Sequence, residues 1–446
     1  MTVKNPQQFL QEAFAQALKA SNPQAILPNG LKQAFPVAPT GRCLVLGAGK
    51  AAASMAVAME FYAKAHWPEI KLEGMVITRY GHALATEHIR VVEASHPVPD
   101  QAGMDAAKET LALIRTLQPG DHLIALVSGG GSSLLTLPAE GLSIEDLRAT
   151  TQALLRSGAP IGQMNIVRKH LSAILGGHMA REASLRGAVV TAFLISDVTG
   201  DDPSSIASGP CAPDDSTFAD ALDILRDYDL LNGAIPQVVI KYLEGGLQGV
   251  HPETPKSNDP IFQATKNYLL GSAHASLEAA AKYCQSQGVT PVILGDTVMG
   301  EARDVALMQA AIAREIDLYD APFKKPVALL SGGECTVTIA PGIKGRGGRC
   351  SEFLLALYNA TDDLSSLSAL AADTDGIDGS EDNAGAYFSK ATREEAQQKK
   401  LQAKNYLSAH DSYGFFKELD ALVHTGPTLT NVNDFRILLI DEKSGS

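Results

Sequence analysis

Cysteine is scarce in this chain of 446 residues, and the five that occur lie far apart. No two of them form a CxxC pair, so the sequence argues against both a zinc site and a disulfide framework. Scattered thiols fit a reducing compartment, and we therefore expect a cytoplasmic protein. The cysteines are Cys43, Cys211, Cys284, Cys335 and Cys350.

Long apolar runs and an excess of basic residues are also lacking. No apolar run approaches the roughly 18 residues that a membrane span needs. The opening segment, MTVKNPQQFLQEAFAQALKA, has no apolar core of signal-peptide type. It predicts instead an amphipathic helix with Asn5 as its N-cap and Pro6 at the first helical position. The net charge of −13 argues against binding to nucleic acid or acidic membranes, but it leaves room for a small anionic substrate.

Several common catalytic signatures are missing from the sequence. There is no G-x-S-x-G elbow, no H-E-x-x-H helix and no G-x-x-x-x-G-K-[ST] loop. These absences exclude enzymes built on those motifs, standard P-loop enzymes among them. The eleven histidines form no metal-ligand spacing. Single histidines such as His96 and His170 are more often structural than functional.

What the chain does contain is a repeated alternation of short apolar runs and helical patterns. The segments CLVLGAGKAAASMAV, GMVITR, HLIALVSGGG and AVVTAFLISD each include a predicted strand. This alternation predicts an α/β fold with a parallel or mixed sheet, in which ligands bind at the carboxyl ends of the strands. The carboxyl-terminal segment TGPTLTNVNDFRILLI is expected to complete one of the sheets.

A polar stretch with three prolines, GGLQGVHPETPKSNDP, suggests a division into two domains. We predict an amino-terminal α/β domain over residues 1–245, a linker over 246–260 and a second α/β domain over 261–446. The pattern restarts after the linker, where NYLLGSAHASLEAAAKYC echoes the first strand and helix and LLSGGE echoes LVSGGG. Two related halves are one interpretation of these echoes, and the chance similarity of short strand–helix turns is the other.

The first glycine turn, LGAGKAAAS, has two interpretations. Gly47-x-Gly49-x-x-Ala52 is a variant of the dinucleotide fingerprint, which would suit a dehydrogenase. However, the next predicted strand ends in Arg79 rather than in the expected acidic residue. Lys50 favours another use of the turn, because an ammonium beside a helix amino terminus can meet an anion. A solvated surface lysine is the alternative.

The second glycine turn, LVSGGGSSLL, follows another predicted strand. A run of small residues can form a nest of backbone N–H groups that binds an anion, although a purely structural turn is the alternative. If the nest forms, the anion-binding residues are Ser128, Gly129, Gly130, Gly131 and Ser132.

The segment GIKGRGGRCSEF concentrates positive charge in an otherwise acidic chain. Its basic residues are Lys344, Arg346 and Arg349, and four glycines lie among them. Arginine binds phosphate or carboxylate in a bidentate manner, and Arg349 opens a predicted helix. The segment therefore indicates an anion site, with a flexible basic surface loop as the alternative.

Two acidic stretches complete the set of candidate residues. Asp197 follows a predicted strand in LISDVTGDDPSS, where a carboxylate could accept a proton or bind Mg²⁺. Asp373 and Asp375 lie in DTDGIDGSEDNAG and are weaker metal candidates. Turns of the Asx type explain both stretches equally well.

Taken together, these motifs resemble the class II glycerate kinases, the glycerate 2-kinase family whose carboxyl-terminal part is called MOFRL. The resemblance runs nearly end to end and rests on LGAGKAAASMA, SHPVPD, LVSGGGSSLL, MNIVRKHLSAILGG, LISDVTGDDPSSIASGPCAPD, LLSGGECTV, GRGGRCSEFLLAL, DTDGIDGSEDNAGA and TGPTLTNVNDFRI. Many members of the family that this chain resembles carry the older label hydroxypyruvate reductase. The Gly47-x-Gly49-x-x-Ala52 turn makes an NAD(P)H-dependent hydroxypyruvate reductase the rival interpretation, and a non-enzymatic nucleotide or sugar-acid binding protein is a third.

The resemblance implies ATP- and Mg²⁺-dependent phosphorylation of D-glycerate at its 2-hydroxyl. It also implies a Rossmann-like amino-terminal domain with a mostly parallel sheet and an active site in the interdomain cleft. The family's lysine and arginine match Lys50 and Arg349, and Asp197 matches an aspartate. Cys350 and Ser351 replace an Asn-Gln pair of the family pattern. The oligomeric state stays open, a homodimer included.

Overall fold

The computed structural model describes residues 3–340 and 342–442, which form sixteen α-helices and fourteen strands. The helices are α1 (Pro6–Ser21), α2 (Pro23–Ala34), α3 (Ala52–His66), α4 (Gln101–Ile114), α5 (Gly131–Leu134), α6 (Ile144–Ser157), α7 (Ile161–His170), α8 (His178–Ser184), α9 (Phe218–Asp227), α10 (Gln237–Leu247), α11 (Ala273–Ser286), α12 (Ala302–Tyr319), α13 (Arg349–Ala360), α14 (Lys390–Gln398), α15 (Ala403–Ser408) and α16 (Ser412–Glu418). The strands are β1 (Cys43–Ala48), β2 (Leu72–Arg79), β3 (Ile89–Ala94), β4 (His122–Ser128), β5 (Val189–Ile195), β6 (Thr265–Gly271), β7 (Thr290–Gly295), β8 (Gly300–Glu301), β9 (Val327–Gly333), β10 (Cys335–Thr336), β11 (Leu367–Asp373), β12 (Gly385–Phe388), β13 (Leu422–Val423) and β14 (Asp434–Ile440). None of the helices in these ranges has the length and apolar character that a membrane crossing requires.

The chain forms two compact units. The parallel-sheet unit covers Pro23–Leu270, and the mixed-sheet unit combines the residues up to Asn22 with those from Gly271 onward. The two α/β domains expected from the sequence are therefore confirmed, but their limits differ from residues 1–245 and 261–446. The mixed-sheet unit takes the first helix, and the parallel-sheet unit extends through most of β6.

The parallel-sheet unit is organised around six strands in the order β3-β2-β1-β4-β5-β6. The pairs β1–β2, β1–β4, β2–β3 and β4–β5 are all parallel, as the alternating sequence pattern predicts. Strand β1 is buried at every residue because helices cover both faces of a sheet of this type. The strand order reverses between β1 and β4, and ligands of open α/β sheets bind beyond the carboxyl ends of the strands at such a switch point.

The mixed-sheet unit has a six-stranded sheet in the order β13-β12-β11-β14-β9-β7. The carboxyl-terminal segment returns as β14, antiparallel to both β11 and β9. Asp434 at the start of β14 is in register with Asp373 at the end of β11 and with Gly333 at the end of β9. One edge of this sheet therefore brings together residues from three distant parts of the sequence.

The first helix begins as the sequence predicts. The Asn5 side chain accepts a hydrogen bond from the backbone N–H of Gln8 at 3.1 Å, and Pro6 is the first residue of α1. The apolar face of this helix packs on the mixed-sheet unit, where the rings of Phe14 and Phe435 lie 5.5 Å apart. An amphipathic pattern shows that a helix needs a partner but does not identify it, which explains the difference in the domain limits.

Residues 246–260 are an integral part of the parallel-sheet unit rather than a connection between the units. They begin within α10, and the side chain of Thr254 is buried. The backbone N–H of Asp214 donates to the Pro255 carbonyl at 2.9 Å, and the Lys256 ammonium donates to the Asp214 carbonyl at 3.0 Å. The three prolines shape an irregular segment. This segment leads to β6, which completes the parallel sheet beside β5.

The two sequence echoes do not mark equivalent positions. Strand β6 lies beside β5 in the parallel sheet, so its echo of β1 does not open the second sheet. In the other pair, β4 ends at Ser128 before its glycines, whereas β9 extends through Gly333. A Cβ on Gly333 would lie 2.3 Å from the Val298 carbonyl oxygen, so close packing accounts for this glycine.

His178 links the stability of the parallel-sheet unit to pH. Burial lowers the pKa of His178 to about 3, and the nearby charge of Arg181 acts in the same direction. Its Nδ1 atom has no hydrogen-bond partner among the described residues. Because the unfolded chain binds this proton near pH 6.5, acid favours unfolding between about pH 6.5 and 3.

We expect acidification from pH 7 to pH 5 to lower the free energy of unfolding by about 2 kcal/mol through this one histidine. Urea denaturation at both pH values measures the change. A His178→Asn variant should show a smaller pH dependence than the wild-type protein. The control is His88→Asn, which replaces an exposed histidine. This variant should keep the full pH dependence of the free energy of unfolding. Equal pH dependence in wild type and His178→Asn would contradict the assignment.

Candidate functional site

The turn after β4 lies at the predicted switch point of the parallel sheet. Gly130 adopts a left-handed conformation with φ of 80°, and α5 begins at Gly131. No group in residues 3–340 and 342–442 accepts a hydrogen bond from the backbone N–H of Gly129 or Gly130. Since backbone N–H groups strongly require acceptors, this turn is suited to an anion from outside the chain.

Lys50 and His96 lie against this turn. A Cβ built on Gly130 would be 3.4 Å from Lys50 Cγ and 2.9 Å from His96 Nε2. The backbone N–H of Lys50 also donates to the Gly129 carbonyl at 2.9 Å, which fixes the turn after β1 beside the turn after β4. A cationic side chain and an imidazole thus border the glycine turn.

Asp197 reaches the same turn from the end of β5. A Cβ on Gly129 would lie 1.9 Å from Asp197 Oδ2, so a larger residue at position 129 would displace this carboxylate. The structure therefore brings Lys50, Asp197 and Gly129–Gly131 together, as the sequence predicts. His96 joins them, whereas the sequence favours a structural role for a single histidine.

The first glycine turn differs from the second in its backbone hydrogen bonds. The N–H of Gly49 donates to the Ile77 carbonyl at 3.1 Å, and the N–H of Ala51 donates to Ser128 Oγ at 3.0 Å. A Cβ on Gly47 would lie 1.9 Å from the Leu126 carbonyl oxygen. Gly47 and Gly49 thus serve the close approach of β1 and β4, and the N–H groups that a dinucleotide pyrophosphate would use already have partners.

The helix that begins at Gly131 packs on a second unusual segment. Ala207 and Ser208 have φ of 50° and 57°, which is uncommon for residues other than glycine. Ser132 Oγ and Ser208 Oγ are 2.8 Å apart, and Ser208 is fully buried. Backbone strain of this kind is concentrated at functional sites. Ser132 is therefore held by Ser208, in the segment after Asp197. Ser128 is held by the first glycine turn, through the backbone N–H of Ala51.

Arg349 is the centre of an ionic cluster in the mixed-sheet unit. Its Nε atom donates to Asp434 Oδ1 at 2.7 Å, and its Nη2 atom donates to Asp373 Oδ2 at 2.7 Å. Nη1 lies 3.3 Å from the exposed carboxylate of Glu334. Burial opposes the charge of Arg349, but Asp434 and Asp373 outweigh it and raise the pKa of the guanidinium above its ordinary value. Arg349 is a fixed cation at the edge of the sheet.

The amino terminus of α13 is already occupied by a carboxylate from the same chain. Asp378 accepts hydrogen bonds from the backbone N–H groups of Cys350 at 3.0 Å and Ser351 at 2.8 Å, and from the Ser351 hydroxyl. Burial raises the pKa of Asp378, whereas these hydrogen bonds lower it. An anion near Arg349 therefore meets the guanidinium rather than free N–H groups of the helix. Ser351 has a side-chain role in this cap.

The metal candidates are divided between the two units. Asp197 belongs to the parallel-sheet unit, and Asp373 and Asp375 belong to the mixed-sheet unit. Asp373 Oδ1 accepts from the backbone N–H of Asp375, and Asp375 Oδ1 accepts from that of Ile377, as in Asx turns. Within the described ranges, no three His, Cys, Asp or Glu side chains are grouped to hold a metal ion.

Sequence reasoning missed three residues of these clusters. Glu334 and Asp434 are polar residues at strand ends in LLSGGE and TNVNDFRI, and that position was their available signal. His96 follows β3 in SHPVPD, but nothing in the sequence shows that it reaches the turn after β4. The register of β9, β11 and β14 decides the first two contacts, and the approach of the segment after β3 to the turn after β4 decides the third.

Comparisons with known proteins extend over most of the chain. Residues 9–244 match a domain of unknown function, DUF4147, and residues 327–434 match the MOFRL family. A protein of Pyrococcus horikoshii named glycerate 2-kinase is 38% identical over 438 residues, which is 96% of each chain. The chain belongs to the glycerate 2-kinase family. This result confirms the resemblance drawn from the motifs.

Two further relatives bear on this family assignment. A crystal structure of glycerate kinase from Thermotoga maritima has a TM-score of 0.85 and 34% identity, and the match covers 97% of this chain and 99% of that chain. A protein of Agrobacterium vitis named "Putative hydroxypyruvate reductase" is 45% identical over 97% of this chain and 94% of its own length. The family members thus carry two different activity names.

The contact between Gly129 and Asp197 leads to a prediction. We expect Gly129→Ala to lower kcat/KM for glycerate phosphorylation by about tenfold or more, because the new methyl group would displace the carboxylate. Steady-state kinetics at saturating ATP measure the effect. Gly162→Ala is the matched control, since a Cβ there meets nothing within 4 Å. Equal activities of the two variants would exclude a role for the placement of Asp197.

Proposed function

We propose that this protein is an ATP-dependent kinase that phosphorylates D-glycerate at its 2-hydroxyl to give 2-phosphoglycerate. Similarity to two proteins named as glycerate 2-kinases over at least 94% of the chain carries the proposal. The site geometry supports it, because each unit presents a cation suited to anionic substrates. These cations are Lys50 beside the glycine turn and Arg349 within its carboxylate cluster.

Phosphoryl transfer requires positioning and neutralisation of charge more than covalent help from the protein. In the proposed reaction, Lys50 and the backbone N–H groups of Gly129–Gly131 stabilise the negative charge of the phosphates. Arg349 binds the glycerate carboxylate or the transferred phosphoryl group. Asp197 accepts the proton of the attacking hydroxyl, which suits a carboxylate at the end of a strand.

Asp197, Asp373 and Asp375 are the residues that would hold Mg²⁺ in the proposed reaction. Mg²⁺ is usually held by one or two carboxylates and by substrate phosphates rather than by a protein cage. The residues fit that mode, since Asp197 in the parallel-sheet unit, and Asp373 and Asp375 in the mixed-sheet unit, offer carboxylates without forming a group of three. When bound, the ion would neutralise charge on the phosphates.

The reductase remains the rival because the Agrobacterium vitis relative carries that name. The first glycine turn argues against it, since the N–H groups of Gly49, Lys50 and Ala51 all donate within the protein. Strand β2 also ends in Arg79 instead of an acidic residue. A dinucleotide at this turn would have to break these hydrogen bonds.

Parallel assays separate these activities. The purified protein is incubated with D-glycerate and Mg-ATP, and separately with hydroxypyruvate and NADH or NADPH. We expect 2-phosphoglycerate, identified by NMR against the 3-phospho isomer, and no oxidation of the reduced cofactor. Formation of 3-phosphoglycerate would overturn the position of transfer. Cofactor oxidation alone would favour the reductase, and a lack of both reactions would favour a binding protein.

A further inference from the structure

Arg436 is an arginine in the interior of the mixed-sheet unit. It lies on β14, and its side chain is fully buried. Its Nη1 atom donates to the Gly332 carbonyl at 3.1 Å, and its Nη2 atom lies 3.1 Å from Cys335 Sγ. Its Nε atom has no hydrogen-bond partner among the residues that the structure describes. Arginine is rarely buried in this way unless it is paired.

The partner of this arginine is the carboxylate that also holds Arg349. Arg436 Nη2 donates to Asp434 Oδ2 at 2.5 Å, while Arg349 Nε donates to Asp434 Oδ1 at 2.7 Å. The Asp434 side chain is itself fully buried. With one oxygen bound to each guanidinium, the carboxylate has a single orientation, and that orientation directs Arg349.

Arg436 also holds the strand end that carries the third carboxylate of the cluster. Gly332, whose carbonyl accepts from Arg436, lies two residues before Glu334 on the same segment. Glu334 in turn lies 3.3 Å from Arg349 Nη1. One buried guanidinium thus binds one of the three carboxylates that surround Arg349 and the backbone of the segment that carries another.

We propose that Arg436 is a positioning residue that orients Asp434 and, through it, Arg349 for the kinase reaction. This inference rests on the proposed function, because it assumes that Arg349 acts on an anionic substrate. Arg436 cannot touch the substrate itself, since its side chain has no exposed surface. A buried ion pair is often no more stabilising than apolar residues of similar volume, which favours a role in orientation rather than in stability.

The mixed-sheet unit offers a matched control. Arg393 is also buried, and its guanidinium lies over the rings of Tyr358 and Phe388 at 4.3 and 4.6 Å. It donates to the Tyr358 carbonyl and to Thr361 rather than to any carboxylate of the Arg349 cluster. Arg393→Met therefore removes a buried arginine from the same unit without touching Asp434.

Kinetics of the two methionine variants separate positioning from general damage. At a temperature where both are folded by circular dichroism, we expect Arg436→Met to lower kcat by about tenfold or more while KM for ATP changes little. Arg393→Met should keep kcat within about twofold of wild type. Arg436→Lys should recover only part of kcat, because an ammonium lacks the planar fork. Equal losses in both methionine variants would overturn the proposal.

A chemical readout tests the same inference without relying on kinase activity. Phenylglyoxal modifies arginine, and mass spectrometry of the peptide that contains Arg349 gives the rate at that residue. We expect Arg436→Met or Asp434→Asn to raise this rate several-fold by releasing Arg349, whereas Arg393→Met leaves it unchanged. An unchanged rate in Asp434→Asn and Arg436→Lys would overturn the inference even if the methionine variant fails to fold. If the wild-type protein forms no phosphoglycerate, the proposed function fails while this rate still tests the link between the arginines.

Discussion

Replacing Arg349 by alanine is expected to lower kcat/KM for D-glycerate by at least about 10²-fold, a loss of about 2.7 kcal/mol of transition-state stabilisation. The guanidinium is held by Asp373 and Asp434 at 2.7 Å each, so it is already oriented before a substrate binds. A preorganised cation stabilises developing charge without reorganisation during the reaction. Steady-state kinetics with Mg-ATP measure the change.

Removing Arg349 also leaves two buried carboxylates without their common partner. Such a loss can cost about 3–5 kcal/mol of stability, so activity must be compared on folded protein. Arg349→Lys keeps the charge, and we expect it to fold and still lose about tenfold or more in kcat/KM, because lysine cannot bind two carboxylates in a planar fork. The control is Arg314→Ala, which removes an arginine from an exposed ion pair with Asp363. Near-wild-type turnover in folded Arg349→Ala would refute the assignment.

Replacing Lys50 by methionine should have an effect of similar size. Methionine keeps the length of the side chain beside Gly130 but removes the charge that would face the phosphates. We expect kcat/KM to fall by at least about 10²-fold. The fold should persist, because the backbone N–H of Lys50 still donates to the Gly129 carbonyl.

The control for this change is Lys64→Met on α3, which removes an exposed lysine near Glu87. It should leave both kcat and KM within about twofold of wild type, as is usual for surface substitutions. A Lys50→Met protein that turns over glycerate normally would place the phosphates away from the glycine turn. A loss in Lys50→Met together with full activity in Arg349→Ala would confine the reaction to the parallel-sheet unit.

Local strand–turn–helix units were predictable from the sequence because their determinants are close together in the chain. Lys50 and Gly129–Gly131 each follow a short apolar run that predicts a buried strand, and parallel strands end at one edge of a sheet. The position of Asp197 was predictable by the same argument, because it comes shortly after β5. Their mutual contacts in the structure agree with this expectation, although their catalytic roles stay predictions.

The surroundings of Arg349 were beyond the reach of such arguments. Asp434 meets Arg349 because β14 inserts antiparallel between β9 and β11, and the sequence pattern of a strand does not specify its neighbours. The same limitation applies to residues 246–260, whose prolines predict a linker between domains. The sequence does not show that the next strand, β6, belongs to the sheet that precedes this segment. Strand order is decided by tertiary packing, which a single sequence does not reveal.

The position of α1 has a consequence for how this protein is made. The helix is synthesised before the parallel-sheet unit, whereas its core partner Phe435 lies on β14, which is synthesised after that unit. Domains generally fold as units during synthesis, so the parallel-sheet unit can fold while Phe14 still lacks its partner. The mixed-sheet unit is therefore assembled from two segments that lie on either side of the parallel-sheet unit in the sequence. A fragment that begins at Gly271 would expose the apolar surface that α1 covers.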